Sequence, residues 1–135
     1  MPAPIHVVCA VIEKDGFVLC AQRSEHMVLP LKWEFPGGKI EPGEDEKAAL
    51  MREIHEELNT SIVILERMPE HVHVYTPEKE IRLIPYRCEL AVGAILHARE
   101  HAELRWVSKS DLLALDWAEA DIPIVHDVMD LRSSL

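Results

Sequence analysis

Three glutamates, Glu53, Glu56 and Glu57, stand close together in the stretch MREIHEELNT, Met51 to Thr60. On a helix each residue advances about 100°, so the three share an arc of about 100°, nearly opposite an apolar stripe of Met51, Ile54 and Leu58. A charged face turned to water is the plain explanation. Two costs argue for more. Glu53 faces Glu56 and Glu57 at i+3 and i+4, each pair unfavourable by about 0.2–0.5 kcal/mol. The cluster also sits in the last two turns, where the helix dipole disfavours negative charge by about 0.3–1 kcal/mol per group. Arg52 is the only basic residue nearby. Hard oxygen ligands gathered this way suit Mg²⁺ or Mn²⁺, and a divalent ion would reverse the local penalty.

The segment before these glutamates, MVLPLKWEFPGGKIEPGE, carries Pro30, Pro36, Gly37, Gly38, Pro42 and Gly43. That density excludes a long helix and predicts an ordered loop around a short extended KWEF. Gly37 and Gly38 let backbone approach an ion or phosphate closely. Glu41 and Glu44 add carboxylates where the loop ends and the helix starts.

The elements that must position these groups follow from pattern. IHVVCAVIEKDGFVLCAQRS reads as two strands joined at Asp-Gly, a strong hairpin signal, with Gln22 and Arg23 at the end of the second. Asp45 to Leu58 has helical composition and no Gly or Pro, and Asn59 can close it in the left-handed conformation. SIVILERM, EHVHVY, KEIRLIPYRCELAV and ELRWV read as further strands. Ser108 is placed to N-cap a short helix KSDLLAL, and Asp121, with Pro123 two positions on, opens a last helix reaching about Arg132. The expected architecture is one domain over residues 1–135, a mixed sheet covered by helices in the α/β or α+β class.

Bulk properties bound the function. With 135 residues, 48% of them hydrophobic, the chain can bury a core without disulfide or metal. Its formal charge of −10 argues against tracking a DNA or RNA backbone, but not against a small phosphorylated ligand that arrives with a cation. Cys9, Cys20 and Cys88 lie far apart in apolar runs and read as buried thiols. The first residues lack a basic leader, and their apolar run stops at Glu13, so a soluble, cytoplasmic protein is expected.

Read from Gly38, GKIEPGEDEKAALMREIHEELNT resembles the signature of the Nudix hydrolases: Gly, five residues, Glu, seven residues, then Arg-Glu-aliphatic-any-Glu-Glu-any-Gly-aliphatic. Gly38, Glu44, Arg52, Glu53, Ile54, Glu56 and Glu57 match. Asn59 and Thr60 depart from it, in place of Gly and an aliphatic residue. AQRS, KWEFPGGKIEPGE, EHAELRWV and ADIPIV extend the likeness to the MutT-like branch, with its 8-oxo-dGTP diphosphatases, and more closely to the bacterial CTP pyrophosphohydrolases.

The resemblance implies a Nudix fold, an α/β/α sandwich, and Mg²⁺-dependent hydrolysis of a nucleoside triphosphate to monophosphate and pyrophosphate. It implies metal ligation by Glu53, Glu56, Glu57 and the Gly37 carbonyl. Glu53 is the first choice for the base, Glu100 its rival, and Arg52 holds a catalytic carboxylate. Arg23 and, more weakly, Gly38 and Lys39 are expected at the phosphates. Asp121 is expected either at the base or as a plain helix cap, and Trp33, Phe35 and Trp117 either stacked on the base or in the core. An ionised Asp121 only accepts hydrogen bonds, which favours cytosine or guanine edges that donate. Hydrolysis of another nucleoside diphosphate derivative such as ADP-ribose, or nucleotide sensing without cleavage, are the alternatives. Monomer and homodimer both stay open.

Overall fold

The computed structural model describes residues 3–131; Arg132, the expected end of the last helix, lies outside them, and that helix already ends at Met129. β1 (Ile5–Lys14) and β2 (Phe17–Gln22) form the expected hairpin, with Asp15 and Gly16 both at positive φ, 51° and 84°. Such a turn matches the right-handed twist of the strands it joins. β3 (Trp33–Glu34) pairs with β2, and β4 (Gly37–Lys39) pairs with β1. β3 falls within the expected extended KWEF, whereas the glycine pair, predicted as loop, adds the unexpected short strand β4. β4 can form because Gly37 has no side chain: a Cβ there would strike the carbonyl of Val8 and the Cα of Cys9 in β1.

After the helix α1 (Glu46–Leu58) come β5 (Ile62–Arg67), β6 (His71–Thr76), β7 (Lys79–Leu90) and β8 (Glu103–Ser108). β7 runs parallel to β1 from Ile81 opposite Ile5 to Cys88 opposite Ile12. All the other ladders are antiparallel, so the sheet is mixed. β5 and β6 divide the other edge of β7, β6 taking its first half and β5 its second. Pro85, which has no N–H to give, lies between the two registers, and its carbonyl accepts from Met68 N at 2.8 Å.

Alternation along β1 builds two cores. Val8, Ala10 and Ile12 pack on one face with Leu50, Ile54 and Leu58 of α1. Cys9 and Val11 pack on the other with Leu112 and with Ile124, Val125 and Val128 of α2 (Ile122–Met129). Helices on both faces of a mixed sheet make the α/β/α sandwich.

Asp45 accepts from Ala48 N at 2.8 Å as the N-cap of α1, and Asn59 ends the helix in the left-handed region, φ 49°. The apolar stripe needs correction: Met51 is exposed, and Leu50 takes its place beside Ile54 and Leu58. Both sets fit helical spacing, and Leu50 wins because the helix is rolled so that Glu57 turns inward too. Thr60 stays outside β5, with its side chain buried. KSDLLAL forms a 3₁₀ turn over Lys109–Ala114; Ser108 precedes it but makes no capping bond, donating instead to Asp111 Oδ2 at 2.9 Å. All three cysteines are buried and unbridged. Among the described residues no helix is long and apolar enough to cross a membrane.

Candidate active site

β4 brings Gly37 and Gly38 against α1, so closely that any side chain at Gly38 would overlap the Glu53 carboxylate. Around this contact lies a pocket of about 340 Å³. Its walls include Arg23, Glu34, Gly37, Gly38, Lys39, Glu53, Glu57, Glu100 and Asp121. Most of the residues singled out from sequence therefore meet in one place. Glu56 is not among the lining residues; its side chain is half exposed and pairs with Arg52 at 3.2 Å.

Arg52 ties the helix to the loop. Its Nε and Nη2 donate to the two oxygens of Glu44 at 2.7 and 2.9 Å, Nη1 donates to Glu53 Oε1 at 2.8 Å, and Nη2 also reaches the Lys39 carbonyl at 3.1 Å. Such forked, charge-assisted bonds fix orientation as well as charge. The Arg52 bond and a backbone bond from Glu41 hold the Glu44 carboxyl down at about 2. Glu53 moves the other way: burial, with repulsion from Glu56 and Glu100, outweighs Arg52 and raises its pKa.

Glu57 is the most strained charge. It is 4% exposed, and its Oε2 has no hydrogen-bond partner. Burial first, then Glu34, Glu53 and Glu100, push its pKa up to about 9 against a backbone bond from Gly37. The 97–99 segment lies along the end of α1, with His97 N donating to the Leu58 carbonyl at 2.9 Å and Arg99 N to that of Glu57 at 3.1 Å. Ala102 N donates to the Gln22 carbonyl at 2.9 Å. These bonds deliver Glu100 to the pocket mouth and His101 behind its wall.

Glu34, Glu57 and His101 place ligand-capable atoms within 4.8 Å of one another. Of this neighbourhood Glu57, with Glu53 and Glu100 beside it, fits a divalent cation, because its buried oxygen without a partner sits among acids that raise the pKa of Glu57 and Glu53. Hard carboxylate oxygens suit Mg²⁺ or Mn²⁺.

At the other end of the pocket Asp121 is buried, and its Oδ2 accepts from Phe35 N at 2.9 Å. It occupies the N-cap position of α2 but makes no capping bond, so the plain capping role is corrected. Burial, and then Glu34, raise its pKa to about 8 despite Arg23 and the Phe35 bond. Arg23 donates through Nη1 to Glu34 Oε1 and through Nε to the Val28 carbonyl, both at 2.6 Å. Trp33 and Trp117 are core residues outside the pocket lining, whereas Phe35 lines it and stacks on Trp117 at 4.8 Å between centroids.

Sequence reasoning missed Glu34, His101, Tyr75 and Lys79. Tyr75 and Lys79 line the pocket from β6 and β7, with the Lys79 ammonium 5.1 Å from the Tyr75 ring centre. Glu34 carried a signal, an acid between two aromatic residues that both go to the core. For His101, 67 positions from its partner Glu34, there was none.

A NUDIX domain model matches residues 2–128. A CTP pyrophosphohydrolase of Escherichia coli K12 is 38% identical over 130 residues, covering 96% of this chain and 95% of the relative. A nucleoside triphosphatase, NudI, of Enterobacter sp. (strain 638) is 32% identical over 125 residues, covering 84% and 89%. The solution structure of a DNA mismatch repair protein MutT from methicillin-resistant Staphylococcus aureus 252 superposes with a TM-score of 0.77 at 44% identity, over 96% of this chain and 98% of that one. The chain belongs to the NUDIX family and is a hydrolase of that family.

Proposed function

We propose that this NUDIX hydrolase is a Mg²⁺-dependent pyrophosphohydrolase of nucleoside triphosphates, or of deoxynucleoside triphosphates. Water adds to phosphorus, the anhydride oxygen between the α and β phosphates leaves, and the products are a nucleoside monophosphate and pyrophosphate. The carrying observation is the group of Glu57, Glu53 and Glu34 beside the glycine loop, where the buried Glu57 Oε2 has no hydrogen-bond partner and burial among acids raises the pKa of Glu57 and Glu53, an arrangement that a divalent cation would relieve.

Glu57, Glu53 and the Gly37 carbonyl, with Glu56 at the rim, would hold a divalent ion, which would supply charge neutralisation at the phosphoryl oxygens and acidify water. Glu53 accepts the proton of the attacking water, held in orientation by Arg52. Glu100 lines the same pocket and is the rival base. Arg23 and Lys39 meet the phosphates, with the Gly38 backbone close by. Asp121 faces the base and, when ionised, selects an edge that donates hydrogen bonds, as cytosine and guanine do. The preferred substrates are cytidine or modified nucleotides: CTP, 5-methyl-dCTP or 8-oxo-dGTP. The names of the relatives, one of them a CTP pyrophosphohydrolase, support this reading. Cytoplasmic pool sanitation would be the corresponding role.

The test is a hydrolysis screen with Mg²⁺ across CTP, dCTP, 5-methyl-dCTP, 8-oxo-dGTP, the ordinary triphosphates, ADP-ribose and NADH, scoring pyrophosphate against phosphate. Release of pyrophosphate from a triphosphate is expected. Turnover of ADP-ribose alone, or binding without cleavage, would sink the proposal.

A further inference from the structure

His101 has a completely buried side chain, and it is not among the residues lining the pocket. Its Nε2 lies 2.8 Å from Glu34 Oε2 and 3.8 Å from Glu57 Oε1, while Nδ1 has no hydrogen-bond partner. A nitrogen facing two carboxylate oxygens is favourable only as a donor, so the hydrogen belongs on Nε2. The other oxygen of Glu34 is taken by Arg23 at 2.6 Å. Glu34 is thus held from both sides, by an imidazole behind the wall and a guanidinium inside the pocket.

We propose that His101 is a positioning residue for substrate recognition: its Nε2–H fixes the Glu34 carboxylate, and Glu34 in turn fixes where the Arg23 guanidinium stands. The bond geometry supports a chain of support running Ala102–Gln22 backbone, His101, Glu34, Arg23. Without His101, Glu34 keeps a single clamp and turns freely beside Glu57, and Arg23 loses its registration. The reading rests on Arg23 meeting the substrate phosphates. An interaction made equally in ground and transition states changes KM more than kcat.

Two measurements test it. In ligand-free protein labelled with ¹⁵N-histidine, long-range correlation spectra should show His101 with its hydrogen on Nε2, and Glu34→Gln should shift that resonance. In kinetics, His101→Leu should raise KM for the best triphosphate about tenfold while kcat falls less than about threefold. His101→Gln, whose side-chain amide can donate from a similar position, should return KM to within about threefold of the parent.

A hydrogen on Nδ1 alone overturns the proposal, as does an unchanged KM in His101→Leu, or a Gln variant as impaired as the Leu one. Loss of the Nε2 hydrogen on adding Mg²⁺ also overturns it, since His101 would then be a direct ligand. If His101→Leu does not fold, the Gln variant and the spectra decide. Failure of the wild-type protein to cleave any triphosphate condemns the functional proposal instead, and leaves the spectroscopic result standing.

Discussion

Two sets of partly buried carboxylates lie at opposite ends of β1, and the protein treats them differently. At the C-terminal end Glu13 receives Arg87 at 2.8 and 3.2 Å and Lys109 at 2.8 Å, and Arg87 also holds Glu66 at 2.9 Å. Burial pushes the Glu13 pKa up, yet these bonds and charges outweigh it and the pKa falls. A larger cleft of about 660 Å³ opens there, and Glu13 in its wall is already paired. At the other end Glu53, Glu57 and Asp121 all have raised pKa values although Arg23 and Arg52 stand beside them. The chain pairs its acids with bases at one end and leaves them pushed toward the neutral form at the other, where a divalent cation would fit. Perturbation toward the neutral form, rather than mere clustering of acids, marks the working end.

Glu53→Gln probes the contrast most severely. It should lower kcat by about 10³-fold, within the usual range for losing a general base, with little change in thermal midpoint. Near-full activity would move the base to Glu100.

The pH response comes next. Because Glu57 is raised to about 9 in the folded chain, from 4.5 as its ordinary value, folding takes up a proton between these limits, and stability falls as pH rises through that window. In a chelator, the thermal midpoint should drop by a few degrees from pH 6 to 8.5. Mg²⁺ or Mn²⁺ should raise the midpoint more at pH 8.5 than at pH 6, and Glu57→Gln should flatten both responses. A midpoint independent of pH and metal would erase the distinction between the two ends of β1.

Glu13→Gln tests the matched end. It leaves Arg87 and Lys109 short of a charged partner and should cost about 1–3 kcal/mol in denaturant unfolding, with kcat/KM within about twofold of the parent. A large loss of activity would show that the 660 Å³ cleft belongs to the chemistry.

The smallest effect concerns selection. Relative to the carboxylate present above about pH 8, Asp121→Asn keeps an acceptor for Phe35 N–H but adds a donor. It should change the ratio of rates on CTP and 8-oxo-dGTP by about tenfold, more than it changes the rate on the preferred substrate. Unchanged ratios would reduce Asp121 to a latch between α2 and the backbone that follows β3.

Much of this arrangement could be read from the chain. Local chemistry governs the Asp15-Gly16 turn, the Asn59 cap and the close approach of the glycine pair, so these were legible, whereas the Asp45 cap emerged only from the structure. The roll of α1 was not, because Met51 and Leu50 both satisfy helical spacing and only tertiary packing chooses between them. Glu57 shows the same limit: its spacing marked it as a candidate ligand, but only the fold shows that it is buried while Glu56 stays half exposed. The Glu34–His101 contact joins distant segments through backbone bonds at Glu57, Leu58 and Gln22, which no local pattern announces. Asp121 sat in a capping context, yet its carboxylate turned to the backbone of Phe35, between β3 and β4.

The three cysteines give the molecule a built-in clock. Burial raises the Cys20 and Cys88 thiols to about 12 and lifts Cys9 well above its ordinary value, so the nucleophilic thiolate is scarce in the native state. An alkylating reagent can therefore reach Cys20 and Cys88 only when the sheet opens, and their labelling rate reports the population of that opening. Cys9 also borders the pocket. A ligand that slows its labelling beyond that of Cys20 and Cys88 would separate local breathing at the site from unfolding of the whole chain.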